Sequence, residues 1–168
     1  LHAHGFTGAT ARLAKFVREK KIDRLRAEQD PLTALRSLNT CLYESFGYEA
    51  GVTRADSPID DVLKARKGVC QDFAHLMIAI CRGWGVPARY VSGYLHTRPD
   101  GATKGTVQGE SHAWIEAWTG GWWAYDPTNA IPIGQRHVWV AVGRDYADVV
   151  PFKGIYTGGA GAGLTVTV

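Results

Sequence analysis

The chain has 168 residues, of which 45% are hydrophobic and 11% aromatic, and its formal net charge at pH 7 is +3. This length predicts a single domain spanning residues 1–168. Such a domain can bury roughly 70% of its unfolded surface and needs no disulfide or structural metal to fold. The charge is only weakly positive and lacks long basic blocks, which argues against nucleic-acid binding. An apolar run of about 18 residues, which a membrane helix requires, does not occur.

Helices are predicted for the first half of the chain. Residues 1–8 are expected to be a flexible lead-in, and the apolar spacing after them predicts a helix over residues 10–21. Asp30 before Pro31 is an N-cap followed by proline at the first helical position. A second helix therefore begins there and ends before an expected loop at residues 48–56.

Two more helices precede a change of pattern. Ser57, Pro58 and Asp60 form a capping-box pattern that opens a short helix. The next helix is predicted from a stripe of apolar residues at spacings of three and four, namely Phe73, Leu76, Met77, Ile80, Cys81 and Trp84. Gly85 and Pro87 end it.

Strands are predicted for the second half, where the hydrophobic period becomes two. They are expected at residues 89–96, 111–118, 122–125, 137–142 and 164–168. Gly120 and Gly121 are a two-residue hairpin signal between the second and third strands. Helices followed by strands predict an α+β fold, with N-terminal helices packed on an antiparallel sheet of about five strands.

Cys70 is predicted to lie in the first turn of the helix with the apolar stripe. It precedes Phe73 by three residues and so shares the inward face. Unpaired backbone N–H groups and the helix dipole favour an anion there, and a thiolate is such an anion. Burial of a small side chain is the commoner role of such a cysteine, so its neighbours must decide.

A base and an acid follow Cys70 in chain order. His112 lies on a predicted strand, and Asp126 ends the returning strand of the hairpin, before Pro127. The hairpin places both at one end of the sheet, so the carboxylate could bind one ring nitrogen while the other faces the thiol. That is the nucleophile–base–orienter arrangement of covalent acyl transfer. The alternatives are a structural strand histidine and a turn-forming aspartate.

Two aromatic residues are candidates for the surroundings of the nucleophile. Tyr48 is a candidate side-chain donor to the oxyanion, beside the backbone N–H of Cys70. Trp114 shares the face of His112 and is a candidate wall of the substrate groove. Packing is the alternative for both. His75 is interpreted as structural.

The cysteines favour a reduced chain without a metal. Three cysteines are an odd number, which predicts a reducing, cytoplasmic setting. A zinc site built from Cys70, His75, Cys81 and His112 is the metal alternative. Its cysteine spacing matches no compact zinc pattern and the chain has no C-x-x-C, so no metal or cofactor is expected.

Four stretches of the sequence resemble the transglutaminase-like superfamily, specifically its bacterial branch of transglutaminase-like cysteine proteases. They are GVCQDFAHLMIAICRGWGVPARYVSGYL (68–95), ESHAWIEAW (110–118), GWWAYDPTN (121–129) and HVWVAVGRDYADVVPFKGIYTG (137–158). The resemblance implies a papain-like transglutaminase core and thiol chemistry on amides. It assigns Cys70 as nucleophile, His112 as base and Asp126 as the third member. Such proteins often carry an additional N-terminal β domain, so the chain could be a fragment of a longer protein.

The predicted function is thiol-dependent acyl transfer on peptide or isopeptide amides. Hydrolysis is expected rather than cross-linking, because the branch that the chain resembles is usually read as hydrolytic. A non-catalytic binding or scaffolding domain of the same fold and a calcium-gated cross-linking transglutaminase are the alternatives. The expected partner is a peptide or protein amide, without nucleic acid or membrane. Substrate choice is assigned to the loops at residues 97–109 and 130–135.

Overall fold

The computed structural model describes residues 5–28, 30–54, 57–96 and 111–151. Its helices are α1 (Ala11–Glu19), α2 (Ile22–Glu28), α3 (Pro31–Ser45), α4 (Ile59–Ala65) and α5 (Cys70–Gly83). Its strands are β1 (Gly47–Tyr48), β2 (Lys67–Gly68), β3 (Ala88–Leu95), β4 (Ser111–Trp118), β5 (Trp122–Tyr125) and β6 (His137–Gly143). Short 3-10 helices lie at Gly5–Thr7 and Tyr146–Asp148. The predicted α+β class is confirmed.

Local capping defines two of the N-terminal helices. The Thr10 hydroxyl accepts the Leu13 N–H at 3.0 Å and starts α1. Asp30 starts α3, because its carboxylate accepts two N–H groups of the first turn. The single helix expected over residues 10–21 is shorter, and α2 follows it after Lys21, whose φ is +55°. The sequence analysis missed α2 because a helix of 7 residues with Ile22 in the core shows little periodicity.

The capping box expected at Ser57 is wrong. The Ser57 hydroxyl accepts the N–H of Arg54 instead, at 3.0 Å, and Pro58 is the N-cap without a side-chain bond. Asp60 accepts the Thr10 hydroxyl at 2.6 Å and so joins α4 to the start of α1. A tertiary hydrogen bond thus replaces the local one that the pattern predicted.

The expected lead-in is ordered where the structure describes it. Residues 1–4 lie outside the described part, but Gly5–Thr7 forms a 3-10 helix and Thr7 is fully buried. The Phe6 ring stacks on His75 with centroids 5.3 Å apart. Arg82 donates to the Thr7 hydroxyl. These contacts to α5 explain why this segment packs rather than extending into solvent.

The main sheet is antiparallel, with strand order β5–β4–β3–β6. It has four strands in the described part of the chain, and the fifth expected strand, at residues 164–168, lies outside that part. Helix α5 packs against β3 and β4. Its apolar stripe meets the inward side chains of β4 in the core, namely Ala113, Ile115 and Ala117.

The hairpin that carries the two candidate site residues has a three-residue loop instead of the expected two. Trp118 pairs with Trp122, and the Thr119 N–H bonds the Gly121 carbonyl at 3.0 Å. Gly120 has a φ of +90°, which glycine adopts without strain. The hairpin itself therefore forms as predicted, with one more residue in its turn.

A second, two-stranded sheet lies in a region expected to be loop. Strands β1 and β2 are parallel, and Tyr48 pairs with Gly68. This pair anchors the chain immediately before α5. No helix in the described ranges has both the length and the apolar character needed to cross a membrane.

Candidate active site

Helix α5 begins at Cys70, as the apolar spacing predicts, and the side chain is half-buried. Asp72 supports this end of the helix, because its carboxylate accepts the Val69 N–H at 2.8 Å. The Thr53 hydroxyl donates to the same oxygen at 2.5 Å. Asp72 thus links the residue before α5 to Thr53. Cys70 is left at a helix N-terminus, where an anionic sulfur is favoured.

Gly68 makes room for this cap. A Cβ at Gly68 would lie 2.6 Å from an Asp72 carboxylate oxygen and 2.9 Å from Val62 Cγ2. Glycine is therefore required two residues before Cys70, because any side chain there would clash with Asp72 and Val62.

His112 and Asp126 meet at the end of the hairpin. The His112 Nε2 atom lies 2.8 Å from Asp126 Oδ2, and both residues are buried, at 9% and 0% exposure. Cys70 is close enough to the imidazole of His112 to act on its pKa. Since Nε2 is taken by the carboxylate, Nδ1 is the nitrogen left for the thiol. The three candidate residues thus lie in one series, in which a hydrogen bond joins His112 to Asp126 and Cys70 adjoins the imidazole.

The imidazole of His112 favours its charged form. Burial by itself would lower the pKa of His112, but hydrogen bonds and charge from Asp126 and Cys70 outweigh it and raise the pKa to about 9. The ring is therefore an imidazolium near neutral pH.

The Asp126 carboxylate is held by its own turn. Its Oδ1 accepts the N–H groups of Thr128 and Asn129 at 3.0 and 3.1 Å, and its Oδ2 accepts the Asn129 side-chain amide at 2.9 Å. Burial would raise the pKa of Asp126, but His112 and these donors lower it overall. Asp126 stays ionised and oriented toward the imidazole.

Two residues of the site, Asn129 and His137, were not predicted from the sequence. Asn129 follows Asp126 by three residues in a turn, a position that an Asx-type turn search could have found. His137 opens β6, and its Nε2 lies 3.4 Å from Asp126 Oδ2. No local pattern signals it, because β6 reaches the site by pairing with β3.

Trp114 is buried at 1% exposure and supports the imidazoles. Its ring lies 6.1 Å from that of His112 and 5.3 Å, edge to face, from that of His137. Gly93 admits this ring, since a Cβ there would lie 2.5 Å from it and 2.1 Å from the Val138 carbonyl. The burial favours the packing alternative over a groove wall.

Tyr48 lies on the strand that pairs with the segment before α5. Its backbone pairs with Gly68, two residues before Cys70, and its side chain is 57% exposed. The strand therefore puts Tyr48 near the start of α5, as an oxyanion donor would need, while its role stays a prediction.

Of the four residues of the zinc alternative, His75 and Cys81 do not join Cys70 and His112. His75 Nε2 accepts the N–H of Tyr146 at 3.1 Å, and burial, with the charge of Arg82, lowers the pKa of His75 to about 3. Cys81 is buried in the core, which raises its pKa to about 12. Among the described residues, the group with metal-ligand proximity is instead His112, Asp126 and His137, whose ligand atoms lie within 4.8 Å of one another.

The Transglut_core family model of the transglutaminase-like superfamily matches residues 19–127, which include Cys70, His112 and Asp126. The chain belongs to the transglutaminase-like superfamily. An uncharacterised Mycobacterium leprae relative is 47% identical over 145 residues, covering 86% of the chain and 52% of that protein. A Pseudomonas aeruginosa protein-glutamine gamma-glutamyltransferase is 36% identical over 92 residues, covering 51% of the chain and 14% of that protein.

Two solved structures share the fold of this transglutaminase-like chain. A candidate cysteine protease from Cytophaga hutchinsonii matches with a TM-score of 0.67 and 29% identity, over 86% of the chain and 48% of that protein. The periplasmic domain of TgpA from Pseudomonas aeruginosa matches with a TM-score of 0.51 and 28% identity, over 78% of the chain and 47% of that domain. The chain spans about half the length of its first mycobacterial relatives.

Proposed function

We propose that this transglutaminase-like domain performs acyl transfer on peptide or isopeptide amides, with water as the usual acceptor. The observation that carries the proposal is that Cys70, the first residue of α5, adjoins the imidazole of His112, which is itself hydrogen-bonded to buried Asp126. A buried imidazole paired with a carboxylate and a thiol is the arrangement that activates a nucleophilic cysteine.

In the first half-reaction, Cys70 Sγ attacks the amide carbonyl carbon and a C–S bond forms. The negative oxygen is stabilised by the N–H of Cys70, which at the first helical position has no intrahelical acceptor. His112 passes its proton to the amide nitrogen, the C–N bond breaks and the amine leaves. Asp126 keeps the imidazole in the required orientation.

In the second half-reaction, water attacks the thioester carbon. The now neutral His112 takes a proton from the water, the C–S bond breaks, and the thiolate–imidazolium pair is restored as the acid leaves. Water and an amine enter at the same step, so the acceptor alone separates hydrolysis from transamidation.

The proposal is tested by trapping the thioester on Cys70. The protein is incubated with a library of peptide amides and activated peptide esters, and a mass shift is sought on each cysteine. We expect adducts on Cys70, none in Cys70→Ala, and selective alkylation of Cys70 by iodoacetamide near pH 7. Cys41 is an internal control, because it is also half-buried but ends no hydrogen-bonded series of this kind.

Equal labelling of Cys41 and Cys70 would contradict an activated thiol. Selective alkylation of Cys70 without any acyl adduct would favour the second candidate, a binding or scaffolding domain of the same fold.

Transamidation is supported by the relative named a protein-glutamine gamma-glutamyltransferase. Supplying a primary amine during turnover separates the outcomes, since hydrolysis releases the free acid and transamidation releases the new amide. Activity that a calcium chelator leaves unchanged would dismiss a calcium-gated enzyme.

The cytoplasm remains the proposed compartment. All three cysteines are free, which fits a reducing environment. Thiol labelling in intact and lysed cells tests this, because a cytoplasmic protein is shielded from an impermeant reagent until lysis.

A further inference from the structure

One carboxylate at the site serves two imidazoles. Asp126 Oδ2 lies 2.8 Å from His112 Nε2 and 3.4 Å from His137 Nε2. The acyl-transfer series uses only His112, so the second ring is unexplained by the proposed function. It comes from β6, a strand on the far side of β3 from β4.

The hydrogen bonds of His137 define its tautomer. The Gly134 N–H donates to His137 Nδ1 at 3.4 Å, so Nδ1 must carry a lone pair and the ring proton lies on Nε2. That proton points at Asp126 Oδ2. Both contacts are long, as hydrogen bonds of unliganded catalytic sites often are.

The ring is neutral near pH 7. Burial is the main cause that lowers the pKa of His137, and the charges of His112 and Arg136 lower it further, against the raising effect of Asp126. These groups face the ring from β4, from its own approach segment and from the end of β5. His137 therefore adds a donor to the carboxylate without adding a second positive charge.

Strand β6 buries its histidine and exposes its apolar residues. The His137 side chain is 1% exposed, although the residue as a whole is half-buried, whereas the residues Val138, Trp139 and Val140 are 53–57% exposed. Ordinary burial preferences would predict the reverse. The sheet register puts His137 opposite Leu95, at the end of β3 near His112. Packing alone does not account for a polar ring at this position.

We propose that His137 is a positioning residue, which donates its Nε2–H to Asp126 and holds the carboxylate in the orientation that His112 requires. This inference rests on the proposed function, since it concerns the same hydrogen-bonded series. Without this donor, Oδ2 keeps the Asn129 amide but loses one of the groups that orient it, and its hydrogen bond to His112 is weakened.

The test compares two substitutions that differ in the donor. His137→Phe keeps an aromatic ring against Trp114 but removes the N–H, whereas His137→Gln retains an N–H donor at similar reach. The rate of Cys70 alkylation by iodoacetamide is measured from pH 5 to 10, beside the thermal unfolding midpoint and the NMR titration of His112. None of these readouts requires a substrate, so failure of the proposed function leaves this test intact.

We expect His137→Phe to slow Cys70 alkylation at pH 7 by about tenfold, the lower end of the losses seen when groups that orient metal-binding histidines are removed. It should also lower the pKa of His112, because the carboxylate partner is oriented less firmly. His137→Gln should restore the rate to within about threefold. In an Asp126→Ala background, His137→Phe should cause no further loss, because the two act through one contact. Where peptide turnover is measurable, kcat should fall while KM changes little.

Three results would overturn the inference. One is alkylation at the wild-type rate in His137→Phe. Another is equal slowing in both variants with a matching loss of thermal stability, which would mark a packing role. The third is an undiminished effect of His137→Phe in the Asp126→Ala background.

Discussion

At the scale of single residues, the charge of the site depends on whether His112 is protonated. Its neighbours are a thiol that gains from a nearby cation and a carboxylate that is buried and supplied with donors from its own turn. The same proton that stabilises the thiolate is the one delivered to the leaving amine. The ionisation of a single ring therefore links the reactivity of Cys70 to the pH of the medium.

The first prediction is the pH dependence of this ring. In the folded chain the pKa of His112 is about 9, against 6.5 as its ordinary value, so its contribution to the free energy of unfolding is complete below pH 6.5. That contribution is lost as the pH rises through about 9. Acylation should fall over the same range, because a neutral His112 has no proton to give to the leaving amine. Proton titration of the His112 ring by NMR measures it.

Asp126→Asn is the matching change at this site. It removes the anion that favours the imidazolium, so the pKa of His112 should fall and acylation should slow by roughly 100-fold or more. A wild-type His112 that titrates near 6.5, or an Asp126→Asn variant of unchanged rate, would contradict the assignment.

At the scale of elements, the start of α5 depends on side chains that satisfy its first turn. Asp72 accepts the Val69 N–H and is itself held by Thr53. Asp30 caps the start of α3 in a similar way but lies on a different helix from Cys70. Comparing variants of these two caps therefore distinguishes a loss of helix stability from a direct effect on the Cys70 thiol.

The second prediction uses this pair. Asp72→Ala and Asp30→Ala should each lower the free energy of unfolding by about 1 kcal/mol, because each leaves N–H groups of a first turn without an acceptor. Only Asp72→Ala should also slow alkylation of Cys70. Urea unfolding and iodoacetamide kinetics measure the two effects. Equal slowing by both variants would show that general destabilisation, rather than the geometry of α5, controls the thiol.

For the whole molecule, His75 joins three parts of the fold. It lies on α5, stacks on Phe6, and accepts the N–H of Tyr146 after β6. It is 1% exposed and must stay neutral for this hydrogen bond to form. The joint between the N-terminal segment, the central helix and the chain after the sheet is therefore sensitive to acid.

The third prediction concerns this joint. The folded pKa of His75 is about 3, below its ordinary 6.5, so the unfolded chain binds the extra proton between these values and stability is lost as the pH falls below 6.5. His75→Gln should remove up to about 1.4 kcal/mol per pH unit of this dependence. Urea unfolding from pH 4 to 7 measures it, with exposed His96→Gln as control. Equal slopes for wild type and His75→Gln would contradict the prediction.

The features predicted correctly from sequence are those with local causes. The three- and four-residue spacing predicted α5 and placed Cys70 at its first residue, because a helix must turn its apolar stripe to the core. The hairpin brought His112 and Asp126 together because a short turn leaves adjacent strands little choice of register. Both the helix and the hairpin follow from interactions between residues that are close in the chain.

Features decided by tertiary contacts were predicted incorrectly or not at all. Ser57 and Asp60 do not form the predicted capping box, because Asp60 accepts a hydrogen bond from Thr10, 50 residues away, and Ser57 accepts one from Arg54. His137 reached Asp126 because β6 pairs with β3, a contact that no local period encodes.

The sequence by itself thus determined the nucleophile's helix, the hairpin and the order of the three site residues, since backbone geometry and hydrophobic periodicity act over a few residues. Only the tertiary structure decided which polar groups surround the Asp126 carboxylate and that Trp114 is buried behind the imidazoles. Burial and hydrogen-bond partners depend on segments that are distant in the chain and meet only after folding.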